Sequence, residues 1–195
     1  ADHILGFVLV NDWSARDLQR WEYQPLGPML AKSFATSVSP WIVLPDALEP
    51  FLLPGTDQQP TVLPPLQSRR PMRYDLKLEV ALRTAQMSAP QPISNSNAKY
   101  LYWSFDQQLA HLTSNGTPLA VGDLMASGTI SGPLDGSYGS MLELTWKGER
   151  PLRMAETGEE RAFLADGDEV ILTAYAQGEG FRVGFGEVTG RIAHA

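Results

Sequence analysis

Near the start of the chain, NDWSARDLQRWEYQPLGPMLAKSF gathers Asp12, Arg16, Gln19, Tyr23 and Lys32 within a short stretch. A carboxylate among them can ligate a hard cation. Guanidinium, amide and ammonium donors can hold an oxygen that gains negative charge during a reaction. A helix over residues 12–23, at about 100° per residue, places Asp12, Arg16, Gln19 and Tyr23 in a stripe roughly 60° wide. Trp13, Leu18 and Trp21 fall outside the stripe and are free to pack. Lys32 and Thr36 stand four apart in a segment that reads as extended, so both point to one side. The plain alternative is a solvated helix face, with Asp12 as cap and partner of Arg16 at i,i+4. That alternative leaves Tyr23 unexplained. It also leaves a lysine in an apolar strand, which is either an edge gatekeeper or a positioned cation.

Other chemistry-bearing stretches are weaker. DGDE at 166–169 lacks the length and the later glutamate of a calcium loop. Asp166-Gly167 reads as a hairpin turn, with Asp168 at its rim and Glu169 starting the strand EVILTAY. GEGFRVGFGEVTG lacks the strand–loop–helix setting and the Lys-Ser/Thr ending of a phosphate loop. His3 and His194 read as incidental, and His111 reads as a packing residue on a helix; no histidine pair has metal-ligand spacing.

The elements that must position the stripe are mostly strands. ILGFVLV reads as a buried strand, residues 12–23 as a helix capped by Asn11 or Asp12, and SFATSVSPWIVLP as strand again. Residues 54–71 form a Pro-rich surface connection. MRYDLKLEVALR alternates strictly, with Met72, Tyr74, Leu76, Leu78, Val80 and Leu82 on one face. A single long helix is expected to open at Ser94 to Asn97 and close at Gly116. The remainder, including GDLMASGTISG and SMLELTWKG, reads as strand and turn. The fold class is mainly β with a few helices (α+β), in 195 residues with 17 Gly and 15 Pro. A formal charge of −7 and a pI of about 4.9 argue against nucleic-acid and anionic-membrane partners. No apolar run is long enough to span a bilayer. The absence of Cys removes disulfides, thiolate zinc sites and cysteine nucleophiles, and fits a cytoplasmic protein.

VNDWSARDLQRWEYQPLGPMLAKSFATSVSPWIV, followed in order by NAKYLYWSFDQQLAHLTSNG, GDLMASGTISGP, GSMLELTWKG, FLADGDEVILTAY and GFRVGFGEVTGRI, closely resembles the fumarylacetoacetase family. The first motif is specific to that family; GDLMASGTISG and GDEV are shared with its wider superfamily. The resemblance implies a mixed β-roll, a homodimer, and metal-dependent hydrolysis of a carbon–carbon bond in a small diketo acid, giving fumarate and acetoacetate in tyrosine and phenylalanine catabolism. It implies Mg²⁺ and/or Ca²⁺, with metal positions at Asp12, Lys32 and Thr36. It implies catalytic roles for Arg16, Gln19 and Lys32 around an oxyanion, and for Glu169 as the carboxylate orienting a histidine. Gln19, Tyr23 and Thr129 match substrate contacts.

The family's general-base histidine, its first metal aspartate and its Glu-x-Glu metal pair precede NDWSARD, and this sequence contains no Glu-x-Glu. Ala35 stands where the family has glycine. The expectation is therefore that residues 1–195 are the C-terminal portion of the catalytic domain, lacking an SH3-like N-terminal domain and the first part of the catalytic one. Two other readings stay open: an acylpyruvate hydrolase or oxaloacetate decarboxylase of the same superfamily, or a non-catalytic assembly module.

Overall fold

A computed structural model of the chain describes residues 1–194. The elements run β1 (Val10–Asp12), α1 (Arg16–Glu22), β2 (Thr36–Val38), α2 (Pro45–Leu48), β3 (Lys77–Arg83), β4 (Gln91–Asn97), α3 (Phe105–Thr113), α4 (Met141–Leu144), β5 (Leu152–Arg153), β6 (Glu160–Arg161), β7 (Glu169–Gln177) and β8 (Arg182–Arg191). The fold is α+β and mostly sheet, as expected. The main sheet has order β4-β3-β7-β8, and two small sheets pair β1 with β2 and β5 with β6. Every one of these pairings is antiparallel, and the main sheet stays open and does not close into a barrel.

The alternation read between Met72 and Leu82 is realised as burial. Met72, Tyr74 and Leu76 enter a core with Leu48, Phe51 and Phe185, whereas Leu82 joins Trp13, Met87, Met154 and Val170 in a second core. Burying a side chain such as Leu82 contributes roughly 1.5–3 kcal/mol. The ladder itself begins at Lys77, so residues 72–76 are extended but mostly lie outside the sheet.

Several local expectations fail for identifiable reasons. ILGFVLV and SFATSVSPWIVLP do lie side by side, with Phe7 and Val43 exchanging both backbone hydrogen bonds at 2.9 Å. Pro40 has no N–H to give, and Ser39 instead donates to Leu9 O (3.0 Å) and accepts from Leu9 N–H (3.0 Å), so the ladder is reduced to β1, β2 and a bridge. The long helix shrinks to α3. Ser94–Asn97 belong to β4, because they pair with Lys77–Val80, and the helix opens at Ser104 in a reciprocal capping box with Gln107. SMLELTWKG is α4, not strand: the Ser140 hydroxyl accepts from Glu143 N–H and so offers a helical start. GDLMASGTISG carries no strand.

Asp166-Gly167 is a turn, with Gly167 at φ +87°, but Asp168 is fully buried and not at a rim. Arg161 grips it with Nε on one carboxylate oxygen (2.8 Å) and Nη2 on the other (3.1 Å). His111 is exposed on α3 and does not pack. Among the described residues no helix is long and apolar enough to cross a membrane.

Candidate functional site

Asp12 does not lie on the helix. It ends β1, directly opposite Thr36 of β2, and α1 begins four residues later after an Ala15 cap that has no side-chain hydrogen bond. The short β1–β2 ladder therefore competes successfully for Asn11 and Asp12, and the twelve-residue helical stripe is corrected to a composite. Trp13 anchors it. Its indole N–H donates to the Ser37 hydroxyl (2.9 Å), and its ring packs in the second core against β8, close over Gly190.

Lys32 also differs from expectation. It sits in a turn, with its N–H on Met29 O, and not in a strand. Its ammonium nevertheless reaches Asp12 at 2.8 Å, with side chains 33% and 50% exposed. Asp12 thus pairs with Lys32 in place of the i,i+4 bond to Arg16. Arg16 and Gln19, one turn apart on α1, join through Nη1 and Oε1 at 2.7 Å. Burial pushes the Arg16 guanidinium below its ordinary pKa, while the carboxylates of Asp12 and Glu143 pull it back up. A partly desolvated cation facing two carboxylates is what this geometry produces.

Tyr23 takes the C-cap position of α1 and is 57% exposed, so it stands at the end of the group and not inside it. Leu18 and Trp21, expected to pack, are exposed as well, Trp21 at 90%. Thr129 lies in an exposed, irregular segment whose methyl group comes close to Gly139. Two residues on, the Ser131 hydroxyl donates to Glu143 (2.8 Å), so this segment is tied to the same carboxylate that acts on Arg16.

Glu169 is placed elsewhere. It pairs with Arg83 and, at 3.8 Å, with Arg191, its two cross-strand neighbours. Val170, the next residue, enters the core that holds Trp13, so pleating turns Glu169 to the opposite face. The structure does not bring it to Asp12, Arg16 and Lys32.

Two residues were missed. Glu143 is held by Ser131 and by Ser140 (2.7 Å), and the Ser-x-x-Glu spacing was its available signal. Glu22 accepts the N–H groups of Met29 (2.7 Å), Leu30 (3.2 Å) and Ala31 (2.8 Å). Those bonds hold its carboxyl below the usual range, the one from Ala31 most. They also fix the turn that aims Lys32; no local pattern announces such a contact between a helix end and a loop.

Among the described residues no three His, Asp or Glu side chains converge on a common point. A hard divalent cation takes six or more oxygens. Asp12 with Thr36 across from it offers one carboxylate, already ion-paired, so these residues alone do not fit Mg²⁺ or Ca²⁺.

Residues 1–193 match the family described as Fumarylacetoacetate (FAA) hydrolase C-terminal. The chain is 54% identical over 194 residues to the fumarylacetoacetase of Homo sapiens, covering all of this chain and 46% of that protein. It is 50% identical over 195 residues to that of Dictyostelium discoideum, again covering all of the chain and 46% of the relative. With the Arabidopsis thaliana fumarylacetoacetase it shares 52% over 192 residues, 98% of this chain and 45% of that one. The chain thus spans about half the length of the curated relatives it matches.

Proposed function

Because the chain belongs to the Fumarylacetoacetate (FAA) hydrolase C-terminal family, we propose that it carries the oxyanion- and substrate-binding part of a fumarylacetoacetase site. The reaction is hydrolysis of the carbon–carbon bond of fumarylacetoacetate. Water oxygen adds to one carbonyl carbon, the adjacent C–C bond breaks, the departing carbon takes a proton, and fumarate and acetoacetate result. The observation that carries this reading is the grouping of Lys32 and Arg16 at Asp12, with Gln19 bound to Arg16, since it gathers two cations and an amide.

In this reading Arg16 and Lys32 hold the oxygen that becomes negative when water adds, and the Gln19 amide orients the diketone. Tyr23 and Thr129, both exposed, are available to touch the rest of the substrate. Metal dependence belongs to the proposal too: Asp12 would supply one ligand to Mg²⁺ or Ca²⁺, with Lys32 paired to it and Thr36 across from it, and the further oxygens would have to come from beyond this group. Glu143 is the carboxylate we assign to the neighbourhood of Arg16.

A homodimer fits the exposed Trp21, Leu26, Leu30, Phe34 and Trp41, which favour burial against another surface. A cytoplasmic location is consistent with the absence of Cys.

The test is product analysis of these residues joined to the remaining half that the relatives carry, with fumarylacetoacetate and, separately, acylpyruvates, with Mg²⁺ or with chelator. Fumarate and acetoacetate should form from the first substrate and fall to background with chelator. Faster cleavage of acylpyruvates would replace this reading with the superfamily alternative. No turnover of either would favour an assembly role.

A further inference from the structure

The Pro-rich stretch 54–71 does more than connect. It folds back beside α3 and encloses with it a groove of about 410 Å³, the size of a small-molecule site. Thr56, Gln58, Ser68, Arg73, Tyr102 and Gln107 line it, and Arg73 is the one charged side chain on its wall. No residue of the Asp12–Lys32 cluster takes part.

The wall is rigid. Gln107, buried at the first turn of α3, donates to Gln58 Oε1 (2.8 Å) and Leu66 O (2.9 Å). Its own oxygen accepts from Gln58 Nε2 (3.1 Å) and from the N–H and hydroxyl of Ser104 (3.1 Å each). Loop and helix are stitched together through a reciprocal amide pair.

Arg73 is held in place but not neutralised. Nη1 donates to Pro54 O (2.5 Å) and Nη2 to Lys99 O (2.7 Å), both uncharged acceptors. Its Nε is buried and has no hydrogen-bond partner. The guanidinium charge still lacks a counter-ion. Nearby carboxylates do not provide one. Asp106 accepts the Met72 N–H (2.8 Å) and is held by the hydroxyls of Ser68 and Ser104. Asp75 accepts from the Asn97 amide (2.6 Å), and Glu49 is taken by Arg70. Among the described residues Arg73 forms no ion pair.

We propose that this groove is a binding site for a small, singly charged organic carboxylate, anchored by the Arg73 guanidinium. The second N–H of Nη1 and of Nη2, beyond those given to Pro54 O and Lys99 O, match the two oxygens of a carboxylate. One positive charge balances one negative charge. A phosphate dianion would be left half uncompensated by this single cation. Amide and hydroxyl groups of Gln58 and Thr56 suit a hydroxyl or keto substituent, and the Tyr102 ring covers the carbon skeleton.

Calorimetric titration of the purified protein with lactate, and separately with inorganic phosphate, tests the site. Lactate should saturate with a millimolar dissociation constant, and phosphate should bind at least tenfold more weakly. Arg73→Gln should weaken lactate at least tenfold. Because that substitution also releases two carbonyl tethers, Thr56→Glu is the second variant. It places a negative charge at the rim, leaves the tethers intact, and should weaken lactate at least tenfold while melting temperature and turnover of the main reaction stay unchanged. Lactate affinity unaltered in Thr56→Glu, absence of saturation in the unmodified protein, or equal affinity for phosphate would each overturn the assignment.

Discussion

Lys32 is the side chain on which the site turns, because it is a cation delivered by a loop to the end of a strand. Its 2.8 Å contact with Asp12 is half solvated, so the pair adds little to stability; its value lies in where it puts the charge. Under the proposed function, replacing Lys32 by Met should lower kcat for fumarylacetoacetate by about 10²–10³-fold with a smaller change in KM, measured by steady-state kinetics. Glu22 acts one step back, as a positioning residue through the turn 29–31. Glu22→Gln should keep the fold, as read by far-ultraviolet circular dichroism, yet lower kcat by up to about 10²-fold, the scale of an ångström-level misplacement. The identities of Asp12, Arg16, Gln19 and Lys32 were legible as candidates. Glu143 was not, because it reaches Arg16 only through the tertiary fold, although its partner Ser140 is local.

At the scale of elements, the chain is held by caps and crossings more than by long helices. Asp106 opens α3 and shows how this responds to pH. Burial alone would raise its pKa, but hydrogen bonds from Ser68, the Met72 N–H and Ser104 outweigh that and set it below its ordinary value. A depressed carboxyl stabilises the fold above the unfolded value of about 3.9, and the contribution is lost as pH falls through the lower folded value. Asp106→Asn should therefore be less stable than the parent at pH 7 in urea denaturation, and the two curves should converge below about pH 3.9. Strand β3 was readable from its period of two, and so was the Gly167 turn. The β4 strand was not, because the Ser-Asn-rich segment from 94 to 97 has little strand propensity of its own and is extended by pairing with β3.

Across the whole molecule, Trp13 couples the site to the main sheet. A Cβ placed on Gly190 would lie 2.4 Å from Trp13 Cζ2. Gly190→Ala should thus destabilise the protein by about 1–3 kcal/mol in chemical denaturation, and should also lower activity, because displacing Trp13 shifts Asp12 beside it. The sequence by itself determined the family, the α+β class and the identities of the candidate side chains Asp12, Arg16, Gln19 and Lys32, since all of these reside in residue type, order and local period. Tertiary structure alone decided that Asp12 belongs to a strand, that Lys32 closes on it from a loop, and that Glu169 faces away among arginines. It also left Arg73 charged and unpaired in a groove. Those outcomes depend on which distant segments win each hydrogen-bonding and packing contest, and no window of neighbouring residues carries that information.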